Sequence, residues 1–133
     1  MDTEVVVIQT LSDEMISAGE LLTRLLEQAQ FPFSASLWFL TRERTWRFLI
    51  ASPEVTIRGP RWAYRQVQSV VSKIPTAESK IALKDITVLD SNDPLIKLLK
   101  VAIRTGSGIH NIRFTGNVIN GIPIEDTYIY RLT

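Results

Sequence analysis

Cysteine is absent from this chain, and histidine occurs once, at position 110. Without cysteine there are no disulfides, no thiolate nucleophiles and no cysteine-based zinc sites. Carboxylate-bound Mg²⁺ or Ca²⁺ is the metal chemistry left, and no cofactor is implied. No apolar run approaches the roughly 20 residues that span a bilayer, and the opening Met-Asp-Thr-Glu is acidic where a signal peptide is basic. The expectation is a protein that stays in the cytoplasm and has no membrane partner. No Pro/Gly-rich linker, low-complexity tract or internal repeat divides the chain, so residues 1–133 read as a single domain. Such a domain buries roughly two-thirds of the surface that its unfolded form exposes.

Charge, by contrast, is present and unevenly placed. Residues 1–30 carry one basic residue, Arg24, against six acidic ones, a net of −5. Residues 31–75 carry seven basic residues, Arg42, Arg44, Arg47, Arg58, Arg61, Arg65 and Lys73, against Glu43 and Glu54, a net of +5. An acidic helix and a basic surface can attract each other within one molecule, between two molecules, or engage separate partners.

Ile8, Leu11, Met15, Ala18, Leu22, Leu25 and Ala29 recur at alternating three- and four-residue spacing, which predicts an amphipathic helix from Glu4 to Ala29. Its apolar seam must be covered by the protein's own sheet or by a partner's helix. A competing local reading makes Val5 to Ile8 a short strand. Phe31-Pro32-Phe33 ends the helix. A hairpin follows: Ala35, Leu37 and Phe39 alternate with Ser36, Trp38 and Leu40, and Trp46, Phe48 and Ile50 alternate with Arg47, Leu49 and Ala51. Both faces of this pair are largely apolar, which places it in the sheet interior.

Gly59-Pro60 opens a second helix with Ala63, Val67, Val70, Val71 and Ile74 as its buried stripe, and Trp62 nearly opposite that stripe. Ile86 to Leu89 reads as a third strand. Asp93-Pro94 caps a third helix that runs to about Arg104, with Gly106 as its left-handed C-cap. Asn120-Gly121 signals a type I′ hairpin that sets Phe114 opposite Thr127, Ile112 opposite Ile129, Arg113 opposite Tyr128 and Thr115 opposite Asp126. The order is α-β-β-α-β-α-β-β. It implies an α+β fold, a mostly antiparallel five-stranded sheet with three helices covering one face.

Chemistry-bearing motifs are sparse. A triad would have to use His110, with Ser107 and Asp126, but no nucleophile elbow is present. Arg104-Thr-Gly-Ser-Gly follows a helix rather than preceding one, so it lies at the wrong end of the dipole for a phosphate cradle. Glu78-Ser79-Lys80 has the carboxylate-to-lysine spacing of Mg²⁺-dependent nucleases, but no aspartate occurs between Phe31 and Ala77 to complete it. Glu125 and Asp126 are adjacent and point to opposite faces of a regular strand, so they cannot share a metal.

Three functional expectations follow. The first is a non-enzymatic interaction protein, a homodimer that uses Ile8, Leu11, Met15, Leu22 and Trp62 or an exposed sheet edge. The second is a small nucleic-acid-binding module acting through Arg42, Arg44, Arg47, Arg61 and Arg65, where guanidinium groups meet phosphates and aromatic rings stack on bases. The third is an enzyme centred on His110. The strings Trp46-Arg-Phe-Leu-Ile-Ala-Ser-Pro53 and Phe114-Thr-Gly-Asn-Val-Ile-Asn-Gly-Ile-Pro-Ile-Glu-Asp-Thr-Tyr-Ile-Tyr-Arg131 resemble small uncharacterised bacterial proteins. That resemblance implies no activity and no functional residue.

Overall fold

A computed structural model of the protein describes residues 10–75 and 81–133. Its elements are α1 (Asp13–Gln28), β1 (Ala35–Leu40), β2 (Trp46–Ser52), α2 (Glu54–Arg58), α3 (Pro60–Val71), β3 (Ile86–Asp90), α4 (Pro94–Ala102), β4 (Ile112–Ile119) and β5 (Ile122–Leu132). The α+β class and the order of the strands and longer helices are those expected. α2 is an addition, because five residues are too few for a helical period to show.

The strands lie in the order β3-β2-β1-β5-β4. β1 is central, as its two apolar faces require. Three of the four pairings are antiparallel, but β2 and β3 run parallel, so the sheet is mixed. The chain between β2 and β3 forms α2 and α3, a crossover that brings it back to the end where β2 began.

Helices cover both faces, not one as the sequence suggested. α1 and α3 pack with Trp38, Phe48, Ile50, Val88 and Tyr130, whereas α4 packs with Leu37, Leu49, Ala51, Ile129 and Leu132 on the other side. A one-sided helical layer would leave Leu37 and Leu49 in water. Each apolar side chain covered in this way contributes about 1.5–3 kcal/mol.

α1 begins at Asp13 rather than Glu4. Ser12 has extended geometry, its hydroxyl accepts the Met15 N–H at 3.1 Å, and Asp13 and Glu14 complement the positive end of the dipole. That cap overrides the continuing apolar spacing, so Leu11 is buried ahead of the helix instead of on it. The Val5–Ile8 strand reading lies outside the described residues. The buried stripe is also rotated, to Ala18, Gly19, Leu22, Thr23 and Leu26, while Met15 and Leu25 are half-buried and Ala29 is exposed. Polar contacts set this phase. The Thr23 and Ser36 hydroxyls meet at 2.6 Å, Thr23 donates to the Gly19 carbonyl at 2.8 Å, and the Tyr130 hydroxyl donates to the Ile16 carbonyl at 2.5 Å. A Cβ on Gly19 would lie 2.7 Å from Tyr130 Cζ, so glycine is what admits that ring.

The helix closes in a Schellman motif. Phe31 N–H donates to the Leu26 carbonyl and Gln30 N–H to the Glu27 carbonyl, both at 3.0 Å, with Gln30 at φ 58°. Asp93 caps α4 by accepting the Leu95 N–H at 2.9 Å, as expected. α4 then stops at Ala102, and Gly106 is not a left-handed cap: Ile103 is already extended. Thr105 N–H donates to the Leu132 carbonyl at 2.7 Å and accepts the Leu132 N–H on its hydroxyl at 2.8 Å, which draws the chain straight onto β5.

The β4–β5 hairpin has the expected register, and Asn120 and Gly121 both take positive φ, 49° and 79°. Midway along β4, Gly116 sits at φ 60°. Phe114 before it and Ile119 after it both join the α4-side core, although an odd spacing should send them to opposite faces.

Candidate interaction surfaces

The apolar seam of α1 is spent inside the molecule. Leu11 and Leu22 are buried in the core beneath α1 and α3, Met15 is half-buried against it, and Ile8 lies outside the described residues. Those side chains form no open docking stripe. Trp62 is half-buried: Phe31 stacks on its ring with centroids 6.4 Å apart, and the Arg58 guanidinium lies 4.8 Å from its centroid.

The five arginines of the nucleic-acid reading do not converge on one surface. Arg42 and Arg44 sit in the β1–β2 turn, where Arg44 pairs with Glu125 at 2.6 Å. Arg47 is held by the Thr87 hydroxyl at 2.7 Å and the Ile86 carbonyl at 3.1 Å. Arg61 and Arg65 project from α3, which begins near the opposite end of β2, about 20 Å from that turn by strand length.

His110 is exposed, and its Nε2 lies 3.1 Å and 3.0 Å from the Gly106 and Ser107 carbonyls. It braces its own loop. Asp126 is committed to Arg113 in two hydrogen bonds of 3.0 and 2.6 Å, so Ser107, His110 and Asp126 form no relay. Glu125 and Asp126 serve different arginines and share no site. Among the described residues no group of three metal-ligating side chains occurs, and no helix is long and apolar enough to cross a membrane. Glu78-Ser79-Lys80 lies outside the described residues. A cleft of about 500 Å³ opens beside Ser12, Trp46, Arg47 and Asp85, but the Asp85 carboxylate accepts the Ala82 N–H, which leaves it a local capping role.

The two sheet edges differ. β3 is five residues long, and its Val88 N–H donates to the Tyr64 hydroxyl at 3.0 Å, so α3 closes that edge with a side chain. β4 is eight residues long and pairs only with β5; Arg113 and Thr115 to Val118 are exposed. The Asn117 amide donates to the Thr115 carbonyl at 2.6 Å, a side chain standing where a neighbouring strand would donate. Arg113 is the strand's one charged residue, and Asp126 neutralises it.

The α4 side is also thinly covered. One nine-residue helix serves it, against 16 and 12 residues in α1 and α3. Phe39, Leu95, Leu98, Ile112 and Phe114 remain half-buried there. Val118 is 68% exposed, Val101 63% and Ile122 43%. No sequence period reports this deficit; the shortness of the Pro94-to-Ala102 helix is the signal that bears on it. The chain matches no protein family, no curated protein and no solved structure.

Proposed function

We propose that the protein is a non-enzymatic interaction domain of the cytoplasm that forms a homodimer through β4 and the apolar fringe beside it. The observation that supports this most is the open eight-residue edge of β4, set against the closed edge of β3. A row of outward backbone groups is a template for another strand, and natural edges are usually blunted by charge, proline or a covering element. β4 has none of these beyond its neutralised Arg113 and the turn at Gly116.

A twofold axis through Gly116 sets two β4 strands antiparallel, as a self-complementary interface requires. Phe114 then faces the partner's Val118, Thr115 faces the partner's Asn117, and glycine lies where the two backbones approach. The two Arg113 side chains end up on opposite sides of the axis. No unpaired charge is buried. The same axis sets the two α4 helices side by side on one face of a continuous sheet, next to the exposed Val101.

Light scattering at micromolar concentration tests this reading. The expected mass is twice the chain mass of 15.1 kDa, and Val118→Lys should return the monomer mass without unfolding, since that side chain is mostly in water. A wild-type monomer, or a dimer unchanged by Val118→Lys, overturns it.

A further inference from the structure

We propose that the groove between the second half of α1 and α3 docks an extended, acidic peptide segment of a partner protein. Two depressions of about 270 and 140 Å³ share Ala29 and Val70, and so form one groove. Phe31, Trp62 and Val70 give it an apolar floor, Gln30 and Gln66 line it with amides, and Lys73 stands at one end. A glutamine amide both donates and accepts, which matches the alternating N–H and C=O groups of an extended peptide.

Charge selects the sign of the ligand. No carboxylate lines either depression. Arg61 and Arg65 are exposed on α3 beside Trp62 and Gln66, and neither has an ion-pair partner among the described residues. Lys73, Arg61 and Arg65 therefore border the groove with one sign of charge. A nucleic acid would meet the same charge, but Trp62 has Phe31 on one face and Arg58 on the other, so its ring has no free face for a base. A peptide needs no such face.

Gln30 is a second, independent observation. It occupies the left-handed position of the Schellman motif, where glycine is favoured and a side chain costs on the order of 1 kcal/mol. Retaining a glutamine there keeps an amide at the groove at the expense of stability, the pattern of a residue held for binding.

A phage-displayed library of random dodecapeptides, selected on the intact protein, tests the inference. The enriched sequences should be acidic. For a synthetic enriched peptide followed by fluorescence anisotropy, Arg65→Glu with Lys73→Glu should weaken binding at least about tenfold, and Gln66→Ala by about threefold. Gln30→Gly should raise the thermal midpoint while weakening the peptide, opposite signs that a purely structural role would not give. No enrichment, basic or neutral winners, affinity unchanged in these variants, or displacement of the peptide by single-stranded oligothymidylate overturns the proposal. The groove lies on the far side of the sheet from α4, and repeating the titration with Val118→Lys separates it from the dimer reading: peptide binding should persist in the monomer.

Discussion

β3 and β4 are the two edges of one sheet, and the protein treats them differently. β3 is short, parallel to its neighbour and closed by Tyr64 from α3; β4 is longer, antiparallel and paired only with β5. The faces repeat the contrast. α1 and α3 bury Trp38, Phe48 and Tyr130 almost completely, whereas α4 leaves Phe39, Leu95, Ile112 and Phe114 half in water. Both deficits meet where β4 borders the α4 side. A domain able to finish one edge and one face so thoroughly has material to finish the other, and the unfinished corner is where a second copy fits.

The largest expected effect tests the finished side. Leu22→Ala removes a fully buried side chain and should cost about 2–5 kcal/mol in urea denaturation, whereas Val118→Ala should change monomer stability by less than about 0.5 kcal/mol. Similar losses for the two variants would erase the contrast between core and fringe. Opening the closed edge comes next. Tyr64→Phe leaves the Val88 N–H without its acceptor and should cost about 1–3 kcal/mol, with higher-mass species appearing in light scattering as β3 becomes available. A variant as stable and as homogeneous as wild type would mean that Tyr64 does not guard that edge.

A smaller effect depends on pH. Burial raises the pKa of Tyr130 well above the usual tyrosine range, and Tyr128 is shifted the same way by the same cause. The native state therefore holds these protons after the unfolded chain has released them. Their stabilising contribution is complete below about pH 10 and declines above it, by about 1.4 kcal/mol per pH unit for each proton involved. Tyr130→Phe should lower stability at neutral pH by about 1 kcal/mol, through loss of its bond to the Ile16 carbonyl, yet flatten the alkaline decline. An unchanged slope in that variant would show that Tyr130 ionises freely in the folded protein.

Much of the fold was legible from local chemistry. Asn120-Gly121 specified the last hairpin and its register, Asp93-Pro94 marked the start of α4, and the doubly apolar β1 and β2 announced a sheet interior. What escaped was decided by polar groups and by distance in the chain. Ser12 ended the first helix where apolar spacing alone ran on. Gly19 and Thr23 entered the buried stripe because Tyr130 and Ser36, far along the chain, reach them with hydroxyls. The second helical layer followed from both faces of β1 being apolar, a premise already present in the sequence and not carried through to its consequence. Of the expected interaction residues, Leu11, Met15 and Leu22 belong to the internal packing, while Trp62 lies in a groove. The open edge and the apolar fringe carry no motif, since they depend on which elements fail to cover them.

Amide hydrogen exchange across a dilution series tests the unequal edges most directly. As concentration rises through the dimer range, amides within Ile112–Ile119 should become slower to exchange, while those of Ile86–Asp90, already closed by α3, should not change. Exchange in β4 that is the same at every concentration would contradict self-association through that strand.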